Sequence, residues 1–201
     1  MPSSTSKPYL LIYNALSALL WLRIFVSILS APSTNTTTVY TTLEPWTRWT
    51  QTLAAAEILH AALGITRAPI FTTFTQVFAR SVQVWAINYG FPGVTASSPA
   101  YPAMLFAWSV ADVVRYSYFV VLLVAGGSMP ALLKWLRYSL FAVLYPIGIG
   151  SEWWLMYRAA AVTESSVVAG VFYFCLALYA PGAVMMYSYM LKQRRKTLSQ
   201  S

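Results

Sequence analysis

Charge is scarce in this sequence of 201 residues: 9% of the residues are charged, against about 25% in an ordinary soluble domain. Hydrophobic residues make up 58% of the chain. A water-soluble fold of this size would have too few polar residues to cover its surface. The composition therefore favours a single compact domain, residues 1–201, whose main solvent is the lipid bilayer.

Cysteine and histidine are nearly absent, with one residue of each, Cys175 and His60. A single cysteine excludes an intrachain disulfide and a cysteine-rich metal site. Glu57 and His60 have the spacing of a metal-binding Glu-x-x-His, but di-metal carboxylate sites need that motif twice. We therefore expect no metal and no other cofactor, and we interpret the two residues as a hydrogen-bonded structural pair or as support to a site.

Acidic residues are also few, five against thirteen lysines and arginines, which leaves a net charge of +8. The positive residues are scattered apart from one cluster at the C-terminus, Lys192, Arg194, Arg195 and Lys196. A basic cluster beside an apolar segment is typical of an anchor at the cytoplasmic membrane surface. Membrane lipid, and not nucleic acid, is the expected partner.

Six apolar stretches approach the roughly 20 residues that a membrane-spanning helix needs. They lie near 9–30, 49–65, 70–90, 102–125, 134–157 and 166–191. The pattern predicts an all-α polytopic membrane protein with six helices in one bundle and a short basic tail, 192–201. The first stretch is too long and too polar, with Asn14 and Arg23, for a cleaved signal peptide. The Thr-rich segment from Thr34 to Thr42 is interpreted as a flexible loop.

The distribution of positive charge predicts the orientation. With six crossings, one side holds Lys7, Arg67, Lys134, Arg137 and the basic tail, and the other holds Arg48 and Arg158. Because positive residues are enriched on the cytoplasmic side, both termini are expected there. Asn35-Thr36-Thr37 is an acceptor motif for N-glycosylation, which fits a lumenal loop.

Six charged residues lie inside the predicted spans and away from their ends: Arg23, Arg80, Arg115, Glu57, Asp112 and Glu152. An uncompensated charge in a membrane costs several kcal/mol or more, so each needs a partner or a wet cavity. The equal numbers of opposite sign allow interhelical ion pairs that fix the packing. A polar chamber between the helices is the alternative.

Tyr145 and Glu152 are seven residues apart in the fifth stretch, which places them on nearly the same helix face, roughly 10 Å apart along the axis. Both side chains are predicted to face one chamber. Pro146, Gly148 and Gly150 lie between them, and a kink there would bring the two groups closer.

Several blocks of the sequence, in order, resemble the very-long-chain (3R)-3-hydroxyacyl-CoA dehydratases of fatty-acid elongation, also described as protein-tyrosine-phosphatase-like proteins. The blocks are Glu57 to Gly64, Gln76 to Arg80, Trp108-Ser109 with Arg115-Tyr116, and Leu144 to Gly148 followed by Glu152. The resemblance extends from about residue 9 to about residue 191.

The resemblance implies a multi-pass enzyme of the endoplasmic reticulum membrane that converts a long-chain 3-hydroxyacyl-CoA to trans-2-enoyl-CoA. It places Tyr145 and Glu152 at the catalytic positions of the family and makes elongase and reductase subunits the expected partners. Candidate substrate-binding or supporting residues are Arg80, Arg115, Tyr116, Gly148, Glu57, His60 and Asp112. Asp112 stands where the family pattern has Glu, which puts its pairing with a neighbouring arginine in doubt.

Loss of water across C2 and C3 needs a base for the C2 proton and an acid for the leaving hydroxide. A carboxylate and a phenol suit these roles, since they differ in protonation at neutral pH. We expect Glu152 to move the proton and Tyr145 to assist the departing oxygen, although the pattern also allows the opposite assignment. The CoA phosphates are expected near Arg67, Lys134 and Arg137, which could equally be topological anchors.

Three other classes of function are weighed against this one. A tyrosine phosphatase needs a cysteine in a phosphate-binding loop followed by arginine, whereas Cys175 lies in an apolar stretch, so this class is rejected. A transporter is disfavoured because no inverted repeat is visible. The alternative that stays open is a non-catalytic membrane scaffold or partner subunit of the elongation machinery.

Overall fold

The computed structural model describes residues 6–30, 35–126 and 128–199, and these ranges are helical, with no β-strand. A π-helical segment, Gln83–Tyr89, continues the fourth helix without a break. The α-helices are α1 (Lys7–Ser30), α2 (Thr36–Leu53), α3 (Ala55–Ala62), α4 (Ile70–Val82), α5 (Pro92–Ala96), α6 (Ala100–Val124), α7 (Ala131–Ser139), α8 (Phe141–Val162) and α9 (Ser166–Leu198).

Helix α6 lies at the centre of the bundle, between α1 and α8, and α9 packs on the outer side of α8. The core between these helices is made of large apolar side chains that are almost fully buried, such as Trp21, Ile24, Tyr101, Leu105 and Leu155. This arrangement leaves α6 with neighbours from both halves of the chain, so its polar residues meet partners from several helices.

Four helical stretches are long and apolar enough to cross a membrane: Lys7–Ser30, Ala100–Val124, Ala131–Val162 and Ser166–Leu198. Their outward faces carry exposed apolar residues, including Ile12 (68% exposed), Val167 (76%) and Met185 (68%). Exposed apolar surface on this scale is stable in lipid and costly in water. The protein is therefore a helical, membrane-associated protein.

The Thr-rich segment differs from its prediction, because α2 begins at Thr36. The Asn35 side chain caps the helix by accepting a hydrogen bond from the backbone N–H of Thr38 at 3.0 Å. Val39 and Leu43 then bury the inner face of α2. The flexible-loop interpretation is thus wrong for residues 36–42, whereas Thr34 lies outside the described residues. The predicted stretch 49–65 is divided between the end of α2 and α3, with a joint at Ala54.

Glycine residues mark the ends of two helices. Gly64 (φ +68°) ends α3 and Gly126 (φ +61°) ends α6 in the left-handed conformation that glycine adopts without strain. The basic tail is helical to Leu198, and its positive side chains suit the negative end of a helix. Residues 31–34, which follow the first predicted stretch, Gly127 between α6 and α7, and the last two tail residues lie outside the described part of the chain.

Candidate active site

The carboxylate of Glu152 is buried between three helices. Glu152 lies on α8 and is 9% exposed. Its Oε1 accepts a hydrogen bond from Nε1 of Trp108 on α6 at 2.8 Å, and its Oε2 accepts one from the hydroxyl of Tyr179 on α9 at 3.0 Å. Both donors are neutral, and no lysine, arginine or histidine in the described part of the chain forms a salt bridge with Glu152.

Gly148 provides space for this arrangement one turn before Glu152. A Cβ atom at this position would lie 3.8 Å from Oε1 of Glu152, 3.8 Å from Cδ1 of Trp108 and 3.7 Å from Cβ of Ala107. A single methyl group would therefore make ordinary contacts, whereas a longer side chain would meet the carboxylate and the indole ring. The absence of a side chain lets α8 approach α6 closely here.

Tyr145 lies two turns before Glu152 on α8, and Pro146 sits inside the helix without ending it. The Tyr145 hydroxyl points towards the carbonyl of Ala183 on α9, 3.5 Å away, and its ring lies beside Tyr187 at 6.1 Å. Tyr145 and Glu152 thus both contact α9, but within the described residues the phenol that hydrogen-bonds Glu152 is Tyr179.

The remaining charged candidates form a continuous ionic cluster. Asp112 pairs with Arg80 at 2.7 Å and with Arg115 at 3.0 Å, and Arg115 also pairs with Glu57 at 2.8 Å. The Tyr116 hydroxyl donates to Glu57 at 2.5 Å. The shorter Asp112 side chain therefore reaches two arginines. We call Glu57, Arg80, Asp112, Arg115 and Tyr116 the ionic cluster.

Trp108 connects the ionic cluster to Glu152. The guanidinium of Arg80 lies over the Trp108 ring, 4.0 Å from its centroid, and 5.2 Å from that of Trp21. The face of the indole thus contacts a cation while its N–H holds the carboxylate. Interhelical ion pairs, one of the two alternatives that the sequence allows, are formed by Arg80 with Asp112 and by Arg115 with Glu57. Arg23 instead stacks on Trp46, 3.3 Å from the ring centroid.

His60 is tied to α1 and not to Glu57. Its Nε2 lies 2.7 Å from the Tyr9 hydroxyl, and its ring meets the ring of Tyr13 edge-on at 4.8 Å. The Tyr13 hydroxyl donates to Glu57 at 3.4 Å. The interpretation of Glu57 and His60 as a hydrogen-bonded pair is therefore wrong, which leaves support to the site. In the described ranges no three His, Cys, Asp or Glu residues converge as a metal site would require.

The three candidate contacts for CoA phosphates lie apart from Glu152. Arg67 is exposed in the connection between α3 and α4, and Lys134 and Arg137 lie on α7. Arg137 lies within electrostatic range of Arg115 and Asp112. Arg137 therefore interacts electrostatically with the ionic cluster.

Two contacts of this site were not predicted from the sequence. Trp108 was identified only as one of the residues that carry the family resemblance, and Tyr179 was not identified. A pattern does accompany Tyr179: it precedes Pro181-Gly182, much as Tyr145 precedes Pro146 and Gly148. That pattern could have suggested a second tyrosine near a loosened helix, but not its contact with Glu152.

Comparisons of the sequence with known proteins give matches over most of the chain. A model of the family described as protein tyrosine phosphatase-like protein, PTPLA, matches residues 51–200. The chain is 38% identical to a probable very-long-chain (3R)-3-hydroxyacyl-CoA dehydratase of Schizosaccharomyces pombe, over 94% of this chain and 91% of the relative. It is 34% identical to the very-long-chain (3R)-3-hydroxyacyl-CoA dehydratase PASTICCINO 2 of Arabidopsis thaliana, over 99% and 96%. With the very-long-chain (3R)-3-hydroxyacyl-CoA dehydratase 2 of Homo sapiens it shares 31% identity, over 95% and 81%. No solved structure gives a significant match.

Proposed function

The chain belongs to the protein tyrosine phosphatase-like protein (PTPLA) family, and from this membership we propose that it dehydrates very-long-chain (3R)-3-hydroxyacyl-CoA in fatty-acid elongation. The relatives that carry this activity in their names match nearly the whole chain. The enzyme is a hydro-lyase, and its products are trans-2-enoyl-CoA and water.

The observation that supports Glu152 as the reactive carboxylate is that it forms no salt bridge in the described part of the chain. The other acids inside the bundle each form a salt bridge with arginine: the buried Glu44 with Arg48 at 2.8 Å, and the half-buried Glu57 and the buried Asp112 within the ionic cluster. Glu152 is held by two neutral donors instead. A carboxylate that is held by neutral donors, and not by a salt bridge, can accept a proton from the substrate.

In the proposed step Glu152 is the base and Tyr145 the acid. Glu152 accepts the C2 proton, the C2–H electron pair forms the C2=C3 double bond, and the C3–O bond breaks. Tyr145 donates its proton to the departing oxygen, which leaves as water. Transfer of the proton from Glu152 to the Tyr145 phenolate restores both groups. The two donors on Glu152 favour this assignment over its reverse, because they stabilise the ionised carboxyl group.

Negative charge develops on the thioester oxygen as C2 loses its proton, so a hydrogen-bond donor should lie nearby. Arg115 and Tyr116 are both engaged with Glu57. Arg80 stacks on the ring that holds Glu152, and its buried Nε has no hydrogen-bond partner among the described residues. These contacts favour Arg80 over Arg115 and Tyr116 as the donor; a backbone amide near Gly148 and Gly150 is the other candidate.

We infer that the enzyme crosses the endoplasmic reticulum membrane six times, with both termini in the cytoplasm. The four apolar stretches supply four crossings. Helices α2 and α3 (18 and 8 residues) and α4 with the π segment (13 and 7 residues) supply two more, since each pair extends about 30–40 Å.

In this proposal the acyl chain of the substrate lies between apolar helices. The CoA phosphates bind near Arg67, Lys134 and Arg137 at the cytoplasmic surface. Elongase and reductase subunits are expected to dock on the same side.

The test is an assay of purified, detergent-solubilised protein with a long-chain (3R)-3-hydroxyacyl-CoA, following the enoyl-CoA product. Wild type is expected to turn over, and Glu152→Gln and Tyr145→Phe are expected to lose at least about 1,000-fold in kcat, the scale of removing a group that acts on the reacting atoms. Glu164→Gln, which changes an exposed acid in the loop before α9, is the control and should match wild type.

A folded wild-type protein without turnover at several chain lengths would contradict the enzyme assignment and favour the scaffold. Turnover that persists in Glu152→Gln would contradict the assigned base while leaving the activity in place.

A further inference from the structure

A tyrosine from α9 contacts the carboxylate that performs the proposed chemistry. Tyr179 is 27 residues from Glu152 in sequence, and its hydroxyl lies 3.0 Å from Oε2. The ring also packs against the central hydrophobic core. The seven-residue spacing in the sequence places Tyr145 on nearly the same helix face as Glu152. The Tyr145 hydroxyl, however, is directed at the carbonyl of Ala183.

The two hydrogen bonds to Glu152 divide its oxygens between two helices. The indole N–H of Trp108 on α6 donates to Oε1, and the hydroxyl of Tyr179 on α9 donates to Oε2. Each carboxylate oxygen has two acceptor positions, so each keeps one free for a substrate proton. Because the two donors come from different helices and bind different oxygens, they fix the plane of the carboxylate as well as its position.

Helix α9 also faces both members of the catalytic pair. Tyr179 and Ala183 are one helical turn apart, and they contact Glu152 and Tyr145 respectively. A shift of α9 would therefore change the position of both groups together.

We propose that Tyr179 is a positioning residue of the dehydratase, which orients the Glu152 carboxylate through a hydrogen bond to Oε2 and stabilises its ionised form. This inference rests on the proposed function. Tyr145 acts on the leaving oxygen, whereas Tyr179 acts through Glu152 and does not touch the substrate.

The experiment compares Tyr179→Phe with Tyr173→Phe in the same enoyl-CoA assay. Tyr173 lies on the same helix, is 46% exposed, and packs its ring against Tyr157, so it is a matched control for the loss of one phenolic hydroxyl. Tyr179→Phe is expected to lower kcat about 10- to 100-fold, the effect of losing a hydrogen bond to a charged group. KM should stay within about twofold of wild type, because the substrate contacts are intact.

The pH profile separates positioning from a structural role. Without the Tyr179 hydroxyl the charged form of Glu152 is less stabilised, so the acidic limb of kcat against pH should move to higher pH. A ring-fluorinated tyrosine at position 179 keeps the size of the side chain but is a stronger donor, and it should move the same limb to lower pH. That substitution also serves if Tyr179→Phe does not survive solubilisation.

Each result has a defined meaning. Opposite shifts of the acidic limb in the two variants, with Tyr173→Phe unchanged, support the inference. An unchanged pH profile overturns it, whether kcat stays at the wild-type value or falls only together with thermal stability. Absence of turnover in folded wild type would instead contradict the proposed function, which the same assay measures first.

Discussion

Trp108 contacts both Glu152 and the ionic cluster. Its N–H holds Oε1 of Glu152, and its ring face lies under Arg80. It is 6% exposed, so water cannot replace either contact freely. The orientation of the indole thus couples the Glu152 carboxylate, the proposed base, to the ion pairs of the ionic cluster.

We predict that Trp108→Phe lowers kcat at least about tenfold, since a ring remains for Arg80 but the donor to Glu152 is lost. Trp21→Phe is the matched control, because Trp21 is 1% exposed, meets the Trp108 ring at 6.3 Å, and changes volume by the same amount. Both variants should lose similar thermal stability, and Trp21→Phe should keep its activity. Equal kcat values for the two variants would contradict the role of the indole N–H.

At the scale of helices, ion pairs join the two short helices α3 and α4 to the central helix α6. Arg80 on α4 and Glu57 on α3 are both bound to α6, through Asp112 and Arg115. In lipid, apolar contact provides little force between helices, so such polar contacts determine which faces meet. The ionic cluster therefore holds the shorter helices α3 and α4 against the central helix.

We predict that Asp112→Asn destabilises the protein by about 3 kcal/mol, the low end of the cost of removing one member of a buried pair, because Arg115 keeps Glu57. Asp112→Glu should keep most of the stability, since a carboxylate remains. Thermal unfolding in detergent measures both variants, with Glu164→Gln as the control. Wild-type stability in Asp112→Asn would show that the two arginines do not depend on Asp112.

At the scale of the whole molecule, four and six crossings both place the termini on one side, but they differ at the connection between α3 and α4. With six crossings this connection faces the cytoplasm, and with four it faces the lumen together with the loop before α9. Ala68 lies in this connection and is exposed, and Glu164 is exposed in the loop before α9.

We predict that a cysteine at Ala68 reacts with an impermeant thiol reagent on the cytoplasmic face of sealed vesicles. A cysteine at Glu164 should react only after permeabilisation. The background is Cys175→Ser, which removes the one natural cysteine. Protection of Ala68→Cys in sealed vesicles would contradict six crossings and favour four.

Several features of this protein could be predicted from the sequence because they depend on local pattern or on transfer between water and lipid. The low charge and apolar stretches predict a helical membrane protein, since each membrane segment must satisfy its own backbone hydrogen bonds. The spacing of Tyr145 and Glu152 predicts that they lie on nearly the same helix face, and both contact α9. Opposite charges within spans predict the ion pairs of Asp112 and Arg115.

Other features depend on how the helices are rotated and packed, which local pattern does not determine. The partners of Glu152 are 44 and 27 residues away in sequence, and their contact requires the particular faces that α6 and α9 present to α8. The Thr-rich segment is helical because a cap at Asn35 and burial of Val39 and Leu43 outweigh its weak helix propensity. The sequence alone thus determined the class of protein and singled out Glu152 as the proposed reactive residue, whereas tertiary packing decided which side chains hold its carboxyl group in place.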